Sequence, residues 1–145
     1  MNISGILQES FKLLIAAGAT IVFHRREFSF QPSDITTLAN AIASSSGTIL
    51  GFLITAIALM ASVMDRGLLK NLRATGGYRV LISGSFTCAA LFLTLLALSL
   101  SLLLPGASQA HWLLLATIFV GVLAAINLAL SGLGFYRVIM SISRS

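Results

Sequence analysis

The sequence predicts an all-α, polytopic integral membrane protein with four transmembrane helices and both termini cytoplasmic. Three observations carry that expectation. Charged residues make up 9% of the 145-residue chain and hydrophobic residues 57%, whereas a soluble domain needs roughly a quarter of its residues charged to dress a wet surface. Apolar runs long enough to cross a bilayer, which takes about 20 residues, recur at 39–64, 80–104 and 111–137. The Lys and Arg residues mostly flank these runs, as topology signals do. The net charge of +5 and the isoelectric point of about 10.4 are therefore read as orientation and lipid-headgroup contact. Direct nucleic-acid binding is not expected.

The first segment, 3–23, is ISGILQESFKLLIAAGATIVF. Only Leu13–Phe23 is cleanly apolar, because Gln8, Glu9, Ser10 and Lys12 precede it. Glu9 near the start, and the lack of a clean small-x-small site after the apolar core, argue against a signal peptide. Two readings stay open: an amphipathic helix lying on the surface, or a spanning helix with polar first turns. Glu9 and Lys12 stand three apart and can satisfy one another on a helix. In a span they would be candidates for a pore mouth or gate; on the surface they are its wet face.

The connection HRREFSFQPSD, 24–34, leads into the second helix. Ser33 can cap that helix, and Asp34 suits the positive end of its dipole. Within the span at 39–64, Thr37, Asn40, Ser44, Thr48, Gly51, Thr55, Ala58 and Ser62 recur at steps of three and four. At 100° per residue they fall within about 40° of one line. The opposite face carries Ile42, Ile49, Phe52, Leu53, Met60 and Val63. Such a stripe, with Ser44, Thr48, Gly51, Thr55 and Ser62 at its centre, either packs closely or lines a polar path. Gly47 and Gly51 form a GxxxG, which lets two helices approach closely.

Residues 65–79, DRGLLKNLRATGGYR, set Arg66, Lys70, Arg73 and Arg79 against Asp65. Gly76-Gly77 ends the preceding helix. The span at 80–104 repeats the pattern, with Ser83, Thr87, Ala90, Thr94, Ala97 and Ser101 on one face, and Pro105-Gly106 stops it. The short uncharged turn that follows makes the next helix, 111–137, an antiparallel neighbour. Trp112 and Tyr136 suit the two interfacial aromatic belts. Ala124, Asn127, Ser131 and Gly134 share a face, and Asn127, costly in lipid, must meet a partner or water.

Orientation follows from counting. With four crossings, one side holds Arg66, Lys70, Arg73, Arg79, Arg137 and Arg144, and the other holds Arg25 and Arg26. Six against two places both termini inside.

No HExxH, phosphate-binding loop or GxSxG elbow is present, so no catalytic residue is expected and an enzyme is the least favoured class. Cys88 is the single cysteine and excludes an internal disulfide. His24 and His111 are distant in sequence and have no metal-ligand spacing, so no metal and no cofactor are expected. Three small polar faces on helices too few to enclose much interior point to a homo-oligomer with a polar seam.

Several local patterns carry a resemblance. Phe23-His24-Arg25 follows a first hydrophobic segment, Ala43-Ser44-Ser45-Ser46-Gly47-Thr48 opens the second span, Ile54-Thr55-Ala56-Ile57-Ala58-Leu59 forms its body, and Lys70-Asn71-Leu72-Arg73 with Gly77-Tyr78 close the basic connection. In these residues, and in length and layout, the chain resembles the RexB family of phage lambda exclusion membrane proteins. The likeness is residue-level over roughly 43–78. The first span here is more polar, and the tail ends in basic Arg144. The resemblance implies an inner-membrane ion channel of a prophage abortive-infection system, opened by a cytoplasmic RexA-like sensor to depolarise the membrane. In that setting Arg66, Lys70, Arg73 and Arg79 would receive the sensor. The alternatives are a non-conducting membrane anchor or assembly subunit, whose stripes are helix contacts, and a holin-like pore former that needs no partner.

Overall fold

A computed structural model describes residues 3–25, 31–62, 77–104 and 111–142. These form four helices: α1 (Ile3–Arg25), α2 (Pro32–Ser62), α3 (Gly77–Leu102) and α4 (His111–Ile142). Three are long and apolar enough to cross a membrane, over Ser33–Leu59, Ile82–Leu102 and His111–Gly134. The fourth, α1, is not among them; Glu9, Ser10 and Lys12 interrupt its first half.

The start of α2 differs from the sequence expectation. The helix opens at Pro32, and Gln31, not Ser33, stands at the cap. The Gln31 backbone N–H donates to Asp34 Oδ2 at 3.2 Å, and Gln31 O accepts the N–H of Asp34 at 2.9 Å. Proline fits the first helical position because its missing N–H would have had no intrahelical acceptor. Asp34, at the third, reaches back to the cap residue as the acidic member of a capping box does. Ser33 lies two positions inside the cap, and its carbonyl instead accepts the Thr37 hydroxyl at 2.9 Å.

α2, α3 and α4 run up, down and up around a shared seam. The start of α2, the end of α3 and the start of α4 meet through Ile35, Ala39, Leu102 and Leu114, with Phe23 of α1 packed beside them. Further along, Cys88, Phe92, Leu95 and Ala124 form a second cluster, covered by Ile42, Ile49 and Leu53 from α2. The buried positions of α3 are Ser85, Cys88, Phe92, Leu95, Ser99 and Leu102. Those of α4 are Leu114, Thr117 and Ala124, with half-buried Gly121 and Leu128 continuing the series. α2 contributes Ile35, Ala39, Ile42, Ser46, Ile49 and Leu53 at the same alternation of threes and fours. This is the 3.5-residue repeat of helices that wrap left-handed and interdigitate.

α1 lies outside this three-helix unit and packs on α4. Ala16 is fully buried in that contact, while Leu7, Phe11, Leu14, Ile21 and Val22 face outward.

Candidate functional site

Among the described residues, a buried charge sits where α1 meets α4. Lys12 is only 7% exposed. Its ammonium donates to Glu9 Oε1 at 2.6 Å, one turn away on the same helix, and to Asn127 Oδ1 at 3.1 Å on α4. The Asn127 Nδ2 donates in turn to the Leu123 carbonyl at 2.9 Å. That bond fixes the amide with its oxygen towards the lysine. Both ends of the Asn127 side chain are thus used, and a charge-assisted hydrogen bond joins two helices. The side chain of Glu9 is 67% exposed, so the counter-charge sits at the rim while the cation sits inside. No sequence pattern pairs Lys12 with Asn127; each is recognisable alone as a group needing company in lipid.

The hydroxyl stripe of α2 takes the opposite situation. Thr37, Asn40, Ser44, Thr48, Gly51, Thr55, Ala58 and Ser62 are all exposed, and they lie across the helix from its packing seam. The hydroxyls bond back to their own helix: Thr48 to the Ser44 carbonyl at 3.0 Å, Thr55 to the Gly51 carbonyl at 2.9 Å and Ser62 to the Leu59 carbonyl at 2.9 Å. The apolar face of α2 is narrower than the sequence suggests. Ile42, Ile49 and Leu53 pack on α3, but Phe52 is exposed, because it sits about 80° from the stripe rather than opposite it. Val63 lies outside the described residues.

The stripe of α3 behaves alike. Ser83, Thr87, Ala90, Thr94 and Ala97 are exposed and Ser101 half-buried. Thr87, Thr94 and Ser101 donate to the carbonyls four residues back. On α4 the shared face is inward: Ala124 is buried against α3, and Asn127, Ser131 and Gly134 are half-buried.

The GxxxG does not bring two helices of one chain together. A Cβ on Gly51 would meet nothing within 4 Å, and one on Gly47 would only reach Leu96 Cδ1 at 4.0 Å. The tighter glycine is Gly121, where a Cβ would stand 3.6 Å from Leu95 Cδ1. It borders an open groove of about 420 Å³ between α2, α3 and α4. The groove exists because the seam there is built from small residues, Ser46, Thr117 and Gly121, beside Phe92 and Leu95. Ser99 is also wholly buried in the seam, its Oγ without a hydrogen-bond partner among the described residues.

At the far end of α1, His24 Nδ1 and His111 Nε2 approach to 3.0 Å, with ring centroids 5.2 Å apart and planes tilted by 52°. Sequence separation hid this pair; antiparallel packing of α1 on α4 creates it. Among the described residues no group of three or more His, Cys, Asp or Glu gathers as metal ligands. Arg66, Lys70 and Arg73 lie outside the described residues, and Arg79 falls in the first turn of α3.

No family model, curated protein or solved structure matches the chain.

Proposed function

We propose that this protein is the ion-conducting membrane effector of a phage-exclusion system in the bacterial inner membrane, working as a homo-oligomer. The observation that carries the reading is the α2 stripe, exposed from Thr37 to Ser62 and turned away from the rest of the chain. The stripe faces out of the single chain, so conduction along it has to run between copies. Ser44, Thr48, Thr55 and Ser62 then line or abut that path, and Gly51, open in the single chain, with half-buried Gly47 one turn before it, allows the copies to approach.

Four crossings with cytoplasmic termini suit this reading. α1 meets α4 at Lys12–Asn127 and again at His24–His111. Between these contacts α1 advances 12 residues and α4 advances 16, about 18 Å and 24 Å of helix, against a hydrocarbon core about 30 Å thick. The basic segment holding Arg66, Lys70, Arg73 and Arg79 then faces the cytoplasm, where a RexA-like sensor would dock and lipid headgroups lie close.

The test is single-channel recording of the purified protein in planar bilayers. Thr48→Leu is expected to lower conductance more than Thr94→Leu. Equal effects would show that the α2 stripe is not the lining. A non-conducting anchor is the second reading, favoured by the back-bonded hydroxyls of Thr48, Thr55 and Ser62, which leave the stripe satisfied even against lipid. Protein that assembles in the bilayer without conductance, with or without the sensor, would select it.

A further inference from the structure

We propose that His24 and His111 form a two-imidazole site for a divalent transition-metal ion of the copper(II) or nickel(II) class, which clamps α1 to α4. The inference is independent of the channel reading.

The geometry starts from the 3.0 Å separation of His24 Nδ1 and His111 Nε2. A metal ion bound to imidazole sits about 2.0–2.1 Å from each nitrogen. Two nitrogens at 3.0 Å then subtend roughly 95° at the ion. That is the angle between adjacent ligands in square-planar or octahedral coordination, which copper(II) and nickel(II) favour. A tetrahedral zinc site would want the nitrogens about 3.3 Å apart.

Without metal, the two rings share one proton along the nitrogen–nitrogen line, one donating and the other accepting. To bind, the donating ring changes tautomer, its proton passing through water to the other nitrogen of the same ring, and both lone pairs turn towards a common point. Both rings are exposed, so they are free to make this turn, and water has access to the remaining coordination positions. The backbone is already arranged. His24 sits in the last turn of α1 and His111 begins α4, while Phe23 and Leu114 beside them pack into one apolar cluster with Ile35, Ala39 and Leu102. The ligands are thus presented by two helices held at fixed distance, as metal sites on rigid elements require. Arg25 is the charged neighbour on α1, and it is exposed, so its repulsion of an incoming cation is screened by water. The donors are imidazoles alone, with no carboxylate or thiolate among the described residues to form a larger ligand group. That set suits copper and nickel and gives little hold on magnesium or calcium.

The second consequence is mechanical. α1 is tied to α4 by polar bonds at Lys12–Asn127 and at His24–His111. Replacing the single hydrogen bond between the rings by two coordinate bonds strengthens the second tie and leaves the first untouched.

The test uses full-length protein without a histidine tag, in lipid nanodiscs, titrated with copper(II) chloride and followed by pulsed electron paramagnetic resonance that counts coordinated imidazoles. One ion per chain with two imidazoles is expected. His24→Ala and His111→Ala should each leave one imidazole and weaken binding roughly tenfold or more, since the chelating second ligand is lost. His24→Gln and His111→Gln serve where an alanine variant fails to fold, with the same outcome expected. Nickel(II) should raise the melting temperature of the wild type and not of these variants. A wild-type site with one imidazole, two imidazoles persisting in either variant, or one ion shared by two chains would each overturn the proposal.

Discussion

Breaking the Lys12–Asn127 contact is the sharpest test of how α1 is held. In Asn127→Leu, Lys12 loses the acceptor at 3.1 Å and keeps only Glu9 at 2.6 Å. A hydrogen bond to a charged group contributes about 1.5–3 kcal/mol in soluble proteins, whereas interhelical hydrogen bonds in membranes average about 0.6 and reach about 1.7 kcal/mol. The buried ammonium favours the upper part of the membrane range, so a loss of about 1.5 kcal/mol is expected, close to a tenfold fall in the folded-to-unfolded ratio. Lys12→Met leaves Asn127 Oδ1 without its partner and should also destabilise. The double variant replaces the polar contact by apolar side chains of similar length, an exchange that is often close to neutral. It should therefore be more stable than the sum of the two single losses by about 1–1.5 kcal/mol. The assay is reversible unfolding in mixed micelles, read by circular dichroism across the four proteins of the cycle. Additivity within about 0.3–0.5 kcal/mol would refute the contact, and with it the placement of α1 along α4.

Three further outcomes follow from the packing and the cap, all read by the same unfolding assay. Ala124→Leu forces a larger side chain into a fully buried position against Cys88, Phe92 and Leu95 and should destabilise by about 1–3 kcal/mol. Gly121→Ala meets Leu95 only at 3.6 Å, ordinary van der Waals contact beside the open groove, and should stay within about 0.5 kcal/mol of the wild type. Asp34→Ala removes the acceptor of the Gln31 N–H and should destabilise by about 1 kcal/mol, while Ser33→Ala, away from the cap, should change little; the reverse ranking would restore Ser33 as the cap.

The three apolar spans were legible because hydropathy is a property of each run by itself. The packing faces were harder to read, for a physical reason. In a soluble helix the buried stripe is the apolar one. In α3 large apolar residues occur on every side and the seam at Ser85, Cys88, Phe92, Leu95, Ser99 and Leu102 itself holds two serines, so hydrophobicity does not single it out. Its 3-4 spacing was available in the sequence, but the brighter pattern of Ser83, Thr87, Thr94 and Ser101 lay on the opposite side. In α2 too the small hydroxylated residues mark the face that the chain leaves open, and the seam of Ile42, Ile49 and Leu53 lies across the helix from it. Long-range pairs such as Lys12 with Asn127, and His24 with His111, depend on the antiparallel register of α1 and α4, which neither segment encodes alone.

The outward direction of both stripes constrains any conducting assembly. α2 and α3 each use one face for the common seam and turn the hydroxylated face away from it. Residues that serve the fold are therefore largely distinct from residues available to a neighbouring copy. A substitution such as Thr48→Leu can alter assembly or conduction while leaving the seam of Ile42, Ile49 and Leu53 intact. The same separation makes the anchor reading testable on equal terms, because the stripe's hydroxyls are satisfied by their own helix before any partner arrives. A pore needs those hydroxyls to turn towards water, which each can do by exchanging one carbonyl bond for a water bond of similar strength. Conduction through this face thus requires no refolding of the protomer, only a second copy placed to keep lipid out.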